Sequence, residues 1–227
     1  MKNAVGRDIP QEILETGRRV YNGKYADDGQ TIQIAGPKRK IYEKPRDNKL
    51  AASIREAAER CNAHDGMTIS FHSDFRSGDY VASMVTKVLV EEMGLKDLTI
   101  AATSLGDAQD QIAQYIEDGK VTGIQSSGVR GRIGEVISEG KLKTPAIIRS
   151  HGGRPRAIAA GEVHIDIAFI AASASDNWGN ASGIGGKNNC GSIGFAVPDA
   201  KYADNVVIIT DTLVDFPNLP SSISSID

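Results

Sequence analysis

Apolar residues recur with two different spacings over most of the chain. From about residue 45, short apolar runs alternate with longer stretches in which apolar residues recur every three or four positions. The short runs predict β-strands and the longer stretches predict amphipathic α-helices. The predicted strands are 67–71, 98–103, 121–126, 146–148, 163–171, 193–197 and 206–210. The predicted helices are 79–93, 107–117, 132–139 and one that Asp47 caps and that runs through Leu50 to Cys61.

This alternation predicts the fold class. Strands of about five residues between helices indicate right-handed βαβ units, and hence an α/β domain with an open, mainly parallel sheet and helices on both faces. The run Val206–Ile209 is apolar throughout, which is typical of a strand covered on both sides. Ligands bind at the carboxyl ends of such strands, in the loops that follow. The loops of interest are 72–78, 104–107, 127–132, 149–156 and 172–192.

The first 45 residues lack this rhythm. They are polar and rich in turn residues, and they predict one short helix from Gln11 to Tyr21. The run Lys38-Arg39-Lys40 is typical of a solvated surface. We therefore expect an N-terminal arm over residues 1–45 and an α/β domain over residues 46–227.

Composition excludes several classes of protein. A chain of 227 residues can bury a sizeable core, and its net charge of −3 argues against coating DNA or RNA. No apolar run is long enough to cross a bilayer, and the N-terminus lacks the apolar core of a secretory signal. Two cysteines favour a reducing compartment. We expect a cytoplasmic globular protein with neither nucleic-acid nor membrane partners.

Glycine is the one residue type in excess. The 24 glycines concentrate in 106–140, 152–153 and 179–194, where the backbone must closely approach either other backbone or a ligand. The chain has no GxxxxGK[ST], HExxH, CxxC or GxSxG motif, and its four histidines lie at no metal-ligand spacing. We therefore expect neither a metal ion nor a tightly bound cofactor.

Two of the expected loops combine polar, basic and glycine residues. In the first, the backbone amides at the start of a helix favour an anion and Arg76 can clamp a carboxylate; the alternative is a polar loop around a hydrogen-bonded histidine. The second suits a phosphate or carboxylate, or else carries surface arginines beside a turn. The candidate residues are Phe71, His72, Ser73 and Arg76 in the first loop, and Ser127, Gly128 and Arg130 in the second.

The loops 149–156 and 172–192 contain more candidate residues than the first two. The arginines of 149–156 match carboxylate or phosphate geometry, or form a basic rim paired with acidic neighbours such as Glu162. The amides and glycines of 172–192 can bind a ligand closely, or form an Asx-rich turn. The candidate residues are Arg149, His151, Gly152, Gly153 and Arg154 in the third loop, and Asn177, Asn180, Gly183, Gly185 and Gly186 in the fourth.

Three long segments resemble a known family. SFHSDFRSGDYV (70–81), IRSHGGRPRAIAAGEVHIDIAFIAASASDNWGNASG (148–183) and CGSIGFAVPDAKYADNVVIITDTLVDFPN (190–218) are similar to the citrate lyase alpha subunit family, and more widely to family I CoA-transferases. The resemblance implies that citrate displaces acetate from an acetyl thioester on an acyl carrier protein. The thioester is on a phosphopantetheine-type arm derived from dephospho-CoA, so CoA or acetyl-CoA is an expected ligand.

The resemblance also implies roles and partners. The amides of Phe71, His72 and Ser73 would line the acyl site, the arginines would bind citrate or the carrier arm, and the fourth loop would shape the thioester pocket. The partners would be the beta subunit, the gamma carrier and a second half of the alpha subunit, in an oligomer. This sequence departs from the family in lacking that second half and in reading His-Ser-Asp at 72–74. The alternatives are a docking domain of the lyase complex and a CoA-transferase for another acid.

Overall fold

The computed structural model describes residues 1–3, 6–17, 49–72, 75 and 78–220. The chain divides into two compact units, Met1–Gln33 and Ile34–Asp227. In the first unit an antiparallel bridge joins Lys2 and Asp8, and helix α1 spans Gln11–Glu15. The predicted helix therefore begins where expected. Its predicted end at 18–21, the basic run 38–40 and the expected arm boundary at 45 lie outside the described residues.

The second unit contains a six-stranded sheet in which every pairing is parallel, as the sequence predicts. The strands are β1 Thr68–Phe71, β2 Leu98–Ala102, β3 Val121–Ser126, β4 Ile147–Ile148, β5 Ile167–Ala171 and β8 Asn205–Ile209. Their order in the sheet is β4-β3-β2-β1-β5-β8. A separate three-stranded sheet has the order β7-β6-β9 and consists of β6 Ala174–Asp176, β7 Ala181–Ser182 and β9 Leu213–Val214.

Helices cover both faces of the six-stranded sheet, which confirms the predicted layering. The helices are α2 Ile54–Arg60, α3 Val81–Lys87 continued by a π-helical turn Val88–Glu92, α4 Gln111–Glu117, α5 Gly131–Ser138, α6 Gly153–Ala159 and α7 Ala196–Tyr202. One buried cluster includes Ile69, Phe71 and Phe169 together with residues of helices α2 to α5. The other buried cluster includes Ala168, Ile170 and residues of α6 and α7.

Two predicted helix starts differ from the structure. Helix α2 begins later than expected, because Ser53 accepts a hydrogen bond from the Glu56 amide (3.1 Å) and is the N-cap. Leu50 therefore precedes the helix, and Asp47 lies outside the described residues. Asp107 makes no capping bond; it opens a 3₁₀ turn, Asp107–Gln109, in which the Gln109 side chain accepts from the Gly106 amide (3.0 Å).

Two helices were not predicted. Residues 193–197 were expected to form a strand, which is wrong: Ile193 is a buried residue within an exposed loop, and α7 follows it. Helix α6 lies within the expected loop 149–156. Both helices contain a proline at their third position, Pro155 and Pro198, where the missing N–H needs no partner within the helix. Proline in the first turn is therefore compatible with a helix, although it obscures the sequence pattern.

The expectation for the last long strand was half right. β8, Asn205–Ile209, forms close to the predicted range, and its side chains pack against both core clusters, Val207 and Ile209 on one face and Ile208 on the other. It is an edge strand, however, and the cover is incomplete, since Val206 is 38% exposed. The expected loop 172–192 also contains two strands, β6 and β7. Among the described residues, no helix is long and apolar enough to span a membrane.

Candidate functional site

The loops that follow adjacent strands meet at the carboxyl edge of the sheet. The Thr103 amide donates to the Phe71 carbonyl (3.3 Å), and the Ser127 amide donates to the Thr103 carbonyl (3.2 Å). The Leu105 amide donates to the Gly128 carbonyl (3.0 Å), which ties the loop after β2 to the loop after β3. These bonds bring together the ends of β1, β2 and β3, the edge at which parallel sheets bind ligands.

A buried polar cluster lies under this edge. His72 follows β1, and its Nε2 is 2.5 Å from Asp199 Oδ2, with both side chains inaccessible to solvent. Arg154 donates to the two Asp199 carboxylate oxygens (3.0 and 3.1 Å) and to Ser70 Oγ (2.7 Å). Strand β1 therefore directs Phe71 into one core and Ser70 and His72 toward α6 and α7.

The charges in this cluster stabilise the carboxylate form of Asp199. Burial raises the pKa of the Asp199 carboxyl, but the positive charges of His72 and Arg154 and the hydrogen bonds from Arg154 outweigh it and hold that pKa below its ordinary value. Asp199 is also the one described carboxylate that pairs with either cation. A buried carboxylate held in this way can orient a neighbouring imidazole.

Arg154 differs from its expected role. The sequence predicts an arginine that offers its charge to a substrate at the rim. In the structure the Arg154 side chain is 6% exposed and its guanidinium binds Asp199 in a two-pronged ion pair. Direct contact between Arg154 and an acid substrate would require breaking this pair. Arg154 is therefore placed to hold Asp199, and its effect on a ligand would be indirect.

Two side chains near this edge contain buried atoms without hydrogen-bond partners among the described residues. They are His72, at both ring nitrogens, and Ser127, at Oγ. The close approach of His72 Nε2 to Asp199 is thus an ion-pair contact rather than an aligned hydrogen bond. Buried polar atoms are normally satisfied, so these atoms indicate a place where a ligand could supply the partner.

The other basic residues that the sequence suggested, Arg149, Arg130 and His151, have different surroundings and do not form one cluster. Arg149 donates to the Gln125 side chain (2.7 Å), and Arg130 is exposed at the N-cap of α5. His151 is exposed and stacks edge-on against Phe195, with ring centroids 4.9 Å apart. Gly152 and Gly153 begin α6, where a side chain at Gly153 would press on Ser150 Oγ (2.9 Å). The loop is thus partly a basic rim, since Arg156 pairs with Glu162 as the alternative reading predicted.

The amide-rich loop forms a turn in the small sheet. Buried Asp176 accepts hydrogen bonds from the Trp178 amide (2.9 Å) and from the amide and side chain of Asn180 (3.0 and 2.8 Å). The Asn177 side chain accepts from the Phe216 amide (3.1 Å). The contacts of Asn177 and Asn180 are those of the Asx-rich turn that the sequence left open as an alternative.

The glycines at 183–186 pack against other backbone. A Cβ atom at Gly183 would overlap the Gly191 carbonyl, and one at Gly186 would overlap the Ser173 carbonyl. Gly185 has φ +91° and lies against Pro220. Of the two reasons for clustered glycine, close approach of chain to chain is the one seen at these positions.

The loop after β1 is partly described. Ser73 and Arg76 lie outside the described residues, so their predicted roles stay predictions. Buried Asp79 anchors the end of the loop, because its carboxylate accepts from the Phe75 amide (3.5 Å) and the Val81 amide (3.1 Å). The Gln109 side chain donates to the Asp79 carbonyl (2.6 Å) and ties this loop to the turn after β2.

A second polar cluster lies at the opposite edge. His164, Asp166 and Asp204 precede β5 and β8, and their potential ligand atoms lie within 4.8 Å of one another, although the sequence suggested no such grouping. His164 Nε2 is 3.3 Å from Asp166 and 3.0 Å from Asp204. Asp166 also accepts from the Thr68 amide (2.7 Å). These contacts account for the cluster as ion pairs.

Asp199 was missed by sequence reasoning, although a signal existed. Ala196 and Ala203 lie three residues before and four residues after Asp199, and both are buried. This spacing places Asp199 on the buried face of a helix. The signal was lost because the helix itself was not predicted.

Comparison with solved structures defines the class first. The open parallel sheet, with loops gathered at its carboxyl edge, gives an α/β domain whose fold is also found in a CoA-transferase. One solved structure with this fold is an acyl-CoA transferase from Escherichia coli O157:H7, described as a thioester complex with CoA. The match has a TM-score of 0.57 and covers 76% of this chain and 44% of the transferase chain. At 17% identity this match shows the fold alone.

Closer relatives identify the family. The chain belongs to the citrate lyase alpha subunit family, whose model, "Citrate lyase, alpha subunit (CitF)", matches residues 47–227. It is 44% identical over 201 residues to the citrate lyase alpha chain of Haemophilus influenzae, covering 88% of this chain and 40% of that one. A structure described as the alpha subunit of citrate lyase from Streptococcus mutans, in complex with citrate, has 48% identity and a TM-score of 0.79, and covers 96% of this chain and 42% of that one. The chain thus spans about two fifths of the length of these relatives.

Proposed function

We propose that this chain is part of a citrate lyase alpha subunit that moves an acyl-carrier thioester from acetyl to citrate. Citrate attacks the acetyl thioester carbonyl with a carboxylate oxygen, and the C–S bond breaks to give a mixed anhydride and the carrier thiolate. The thiolate then attacks the citryl carbonyl of the anhydride, which forms citryl-carrier and releases acetate. The reaction requires a binding site for a polycarboxylate and donors for the carbonyl oxygen that becomes negative in the transition state.

The observation that carries this proposal is the gathering of loops at one edge of the sheet. Hydrogen bonds tie the ends of β1, β2 and β3 to one another, so that the residues after Phe71, Ala102 and Ser126 are neighbours. The family match over residues 47–227 supports the same reaction class. Backbone amides of Phe71, His72 and Ser73 are the proposed oxyanion donors, with Ser127 and Gly128 beside them.

Basic groups at this edge fit anionic substrates. Exposed Arg130 lies at the start of α5, where it can meet the pyrophosphate of a carrier arm derived from dephospho-CoA. Arg149 and the Arg76 clamp are proposed to contact citrate. We infer that CoA or acetyl-CoA can replace the carrier arm, and that no tightly bound cofactor is needed.

The expected partners follow from the same proposal. The acyl carrier supplies the thioester, and the beta subunit then cleaves citryl-carrier. Residues that complete the alpha subunit in its longer relatives would provide the rest of the active site. We propose that this chain provides the acid-binding part of the alpha subunit, within an oligomeric complex.

A chimera tests the proposal. Residues 47–227 would replace the matching residues of the Haemophilus influenzae alpha chain, which is 44% identical to this chain over the aligned residues. The chimera, mixed with that protein's own acetyl-carrier, is expected to form citryl-carrier and release one acetate for each citrate consumed. The measurement is mass spectrometry of the carrier together with acetate release.

Alternative acids provide the control. Succinate and butyrate in place of citrate should give much slower exchange. Faster exchange with either acid would show a CoA-transferase of other specificity. A folded chimera that exchanges no acid would overturn the transferase proposal and leave docking as the role of this domain.

A further inference from the structure

The buried cluster beneath the carboxyl edge is polar where its surroundings are apolar. Ser70, His72, Arg154 and Asp199 are all buried, beside a core that includes Ala157, Ile158 and Ala196. Burying charges costs free energy, and replacing a buried ion pair by apolar residues is often neutral or stabilising. Stability therefore does not by itself explain this cluster.

The contact with Asp199 determines how His72 can act. A carboxylate only accepts hydrogen bonds, so an imidazole nitrogen 2.5 Å from Asp199 Oδ2 must carry a proton. That nitrogen is Nε2, which leaves Nδ1 as the other polar end of the ring. Nδ1 is buried and has no hydrogen-bond partner among the residues that the structure describes.

Arg154 fixes the carboxylate rather than the ligand. It donates to both oxygens of Asp199, and it is anchored by Ser70 Oγ (2.7 Å) and the Ala101 carbonyl (3.3 Å). With its guanidinium held by β1 and β2, Arg154 prevents Asp199 from turning away from His72. Arg154, anchored on the sheet, thus holds Asp199, and Asp199 in turn contacts the imidazole ring of His72.

Ser127 offers a second binding point. The register pairs Phe71 with Ala102 and Ala102 with Ser126, so His72 and Ser127 follow strands that are separated by one strand. Two strand spacings put their backbones about 10 Å apart. Ser127 Oγ is also buried without a partner in the described part of the chain. Two such points suit an acid with more than one carboxylate better than acetate.

We propose that Asp199, held by Arg154, is a positioning residue that orients His72 so that Nδ1 donates to one carboxylate of a polycarboxylic acid, while Ser127 Oγ donates to another. In the bound state His72 carries protons on both ring nitrogens. This inference rests on the proposed function of the edge and adds the side chains that recognise the acid. It differs from the expectation that His72 acts only through its backbone amide.

The first experiment measures binding of citrate and of acetate to the 227-residue chain by isothermal titration calorimetry. In His72→Gln, the side-chain amide can still donate toward Asp199 but nothing replaces Nδ1. We expect His72→Gln to weaken citrate binding by about 10- to 100-fold, the range for losing one hydrogen bond to a charged group. Ser127→Ala should weaken it less, because its hydroxyl is uncharged. Arg156→Gln, an exposed change on the same helix as Arg154, should leave the affinity unchanged.

The second experiment separates positioning from charge. In Asp199→Asn the negative charge is lost, so simple electrostatics would strengthen binding of an anion, whereas loss of orientation would weaken it. We expect weaker binding, by about tenfold. Nitrogen-15 NMR of the His72 ring should show a change at Nδ1 when citrate is added to the wild-type chain, and a smaller change in Asp199→Asn.

The outcomes distinguish this inference from the proposed function. If the wild-type chain binds citrate and His72→Gln binds it equally well, the inference fails and the proposed function stands. If acetate binds more tightly than citrate but depends on His72, the choice of citrate fails and the His72 contact stands. If Asp199→Asn binds citrate as tightly as wild type, Asp199 only balances charge. Binding of neither acid would overturn both proposals.

Discussion

At the scale of single residues, neighbours in sequence do not share a role. The arginines of 149–156 were expected to form one anion site, but Arg149 binds Gln125, Arg154 binds Asp199 and Arg156 binds Glu162. Arg149 precedes helix α6, and Arg154 and Arg156 lie two positions apart in that helix, so their side chains point about 200° apart and face different surroundings. Which arginine is buried depends on helix α6 and on Asp199, a distant carboxylate, and neither was predicted from the sequence.

Loss of Arg154 should destabilise the fold. Arg154→Leu leaves Asp199 buried with one of its two cationic partners removed, and breaking a buried pair costs about 3–5 kcal/mol. The measurement is the free energy of unfolding in urea. Arg156→Gln, which breaks an exposed pair, is the control and should have a much smaller effect. Unchanged stability in Arg154→Leu would show that the ion pair is not formed as described.

Asp199 should make stability depend on acid. Its pKa is lowered in the folded state, so the unfolded state binds more protons near pH 4. Its contribution is therefore complete above its unfolded pKa, near 3.9, and is lost as the pH falls through the folded value. Asp199→Asn should flatten the acid side of a plot of unfolding free energy against pH. An acid limb as steep as that of wild type would contradict this.

At the scale of elements, the six-stranded sheet could be predicted from the sequence, whereas the small three-stranded sheet and helices α6 and α7 could not. Strands β1, β2, β3 and β5 are almost wholly buried, and short runs that contain apolar residues predicted all four, although half of the residues of β1 and β3 are polar. The small sheet consists of strands of two or three residues, which are too short to show a period. Helices α6 and α7 were hidden by a proline in the first turn of each.

The glycine-rich loop should tolerate no side chain where backbones touch. Gly183→Ala forces a Cβ atom against the Gly191 carbonyl, and overpacking of this kind costs about 1–3 kcal/mol or more. Gly152→Ala is the matched control, since Gly152 has helical backbone angles and open space around it. Thermal unfolding should show a lowered midpoint for the first variant and little change for the second. Equal midpoints would contradict the packing described.

At the scale of the whole molecule, topology decides where chemistry can occur. Six strands in parallel bring the ends of β1, β2 and β3 to one edge, and this could be predicted because the βαβ rhythm alone requires it. Which side chains point into that edge could not be predicted. His72 does so through a contact with Asp199, 127 residues away in sequence, and such pairings appear only when the chain is folded.

The most direct test of the account is where citrate binds. Backbone amide NMR of the labelled chain during a citrate titration would map the contacted residues. We expect shifts at His72, in 103–105 and in 127–130, at the carboxyl edge. Shifts confined to 163–166 and 203–205, at the opposite edge beside His164, would contradict the proposed site.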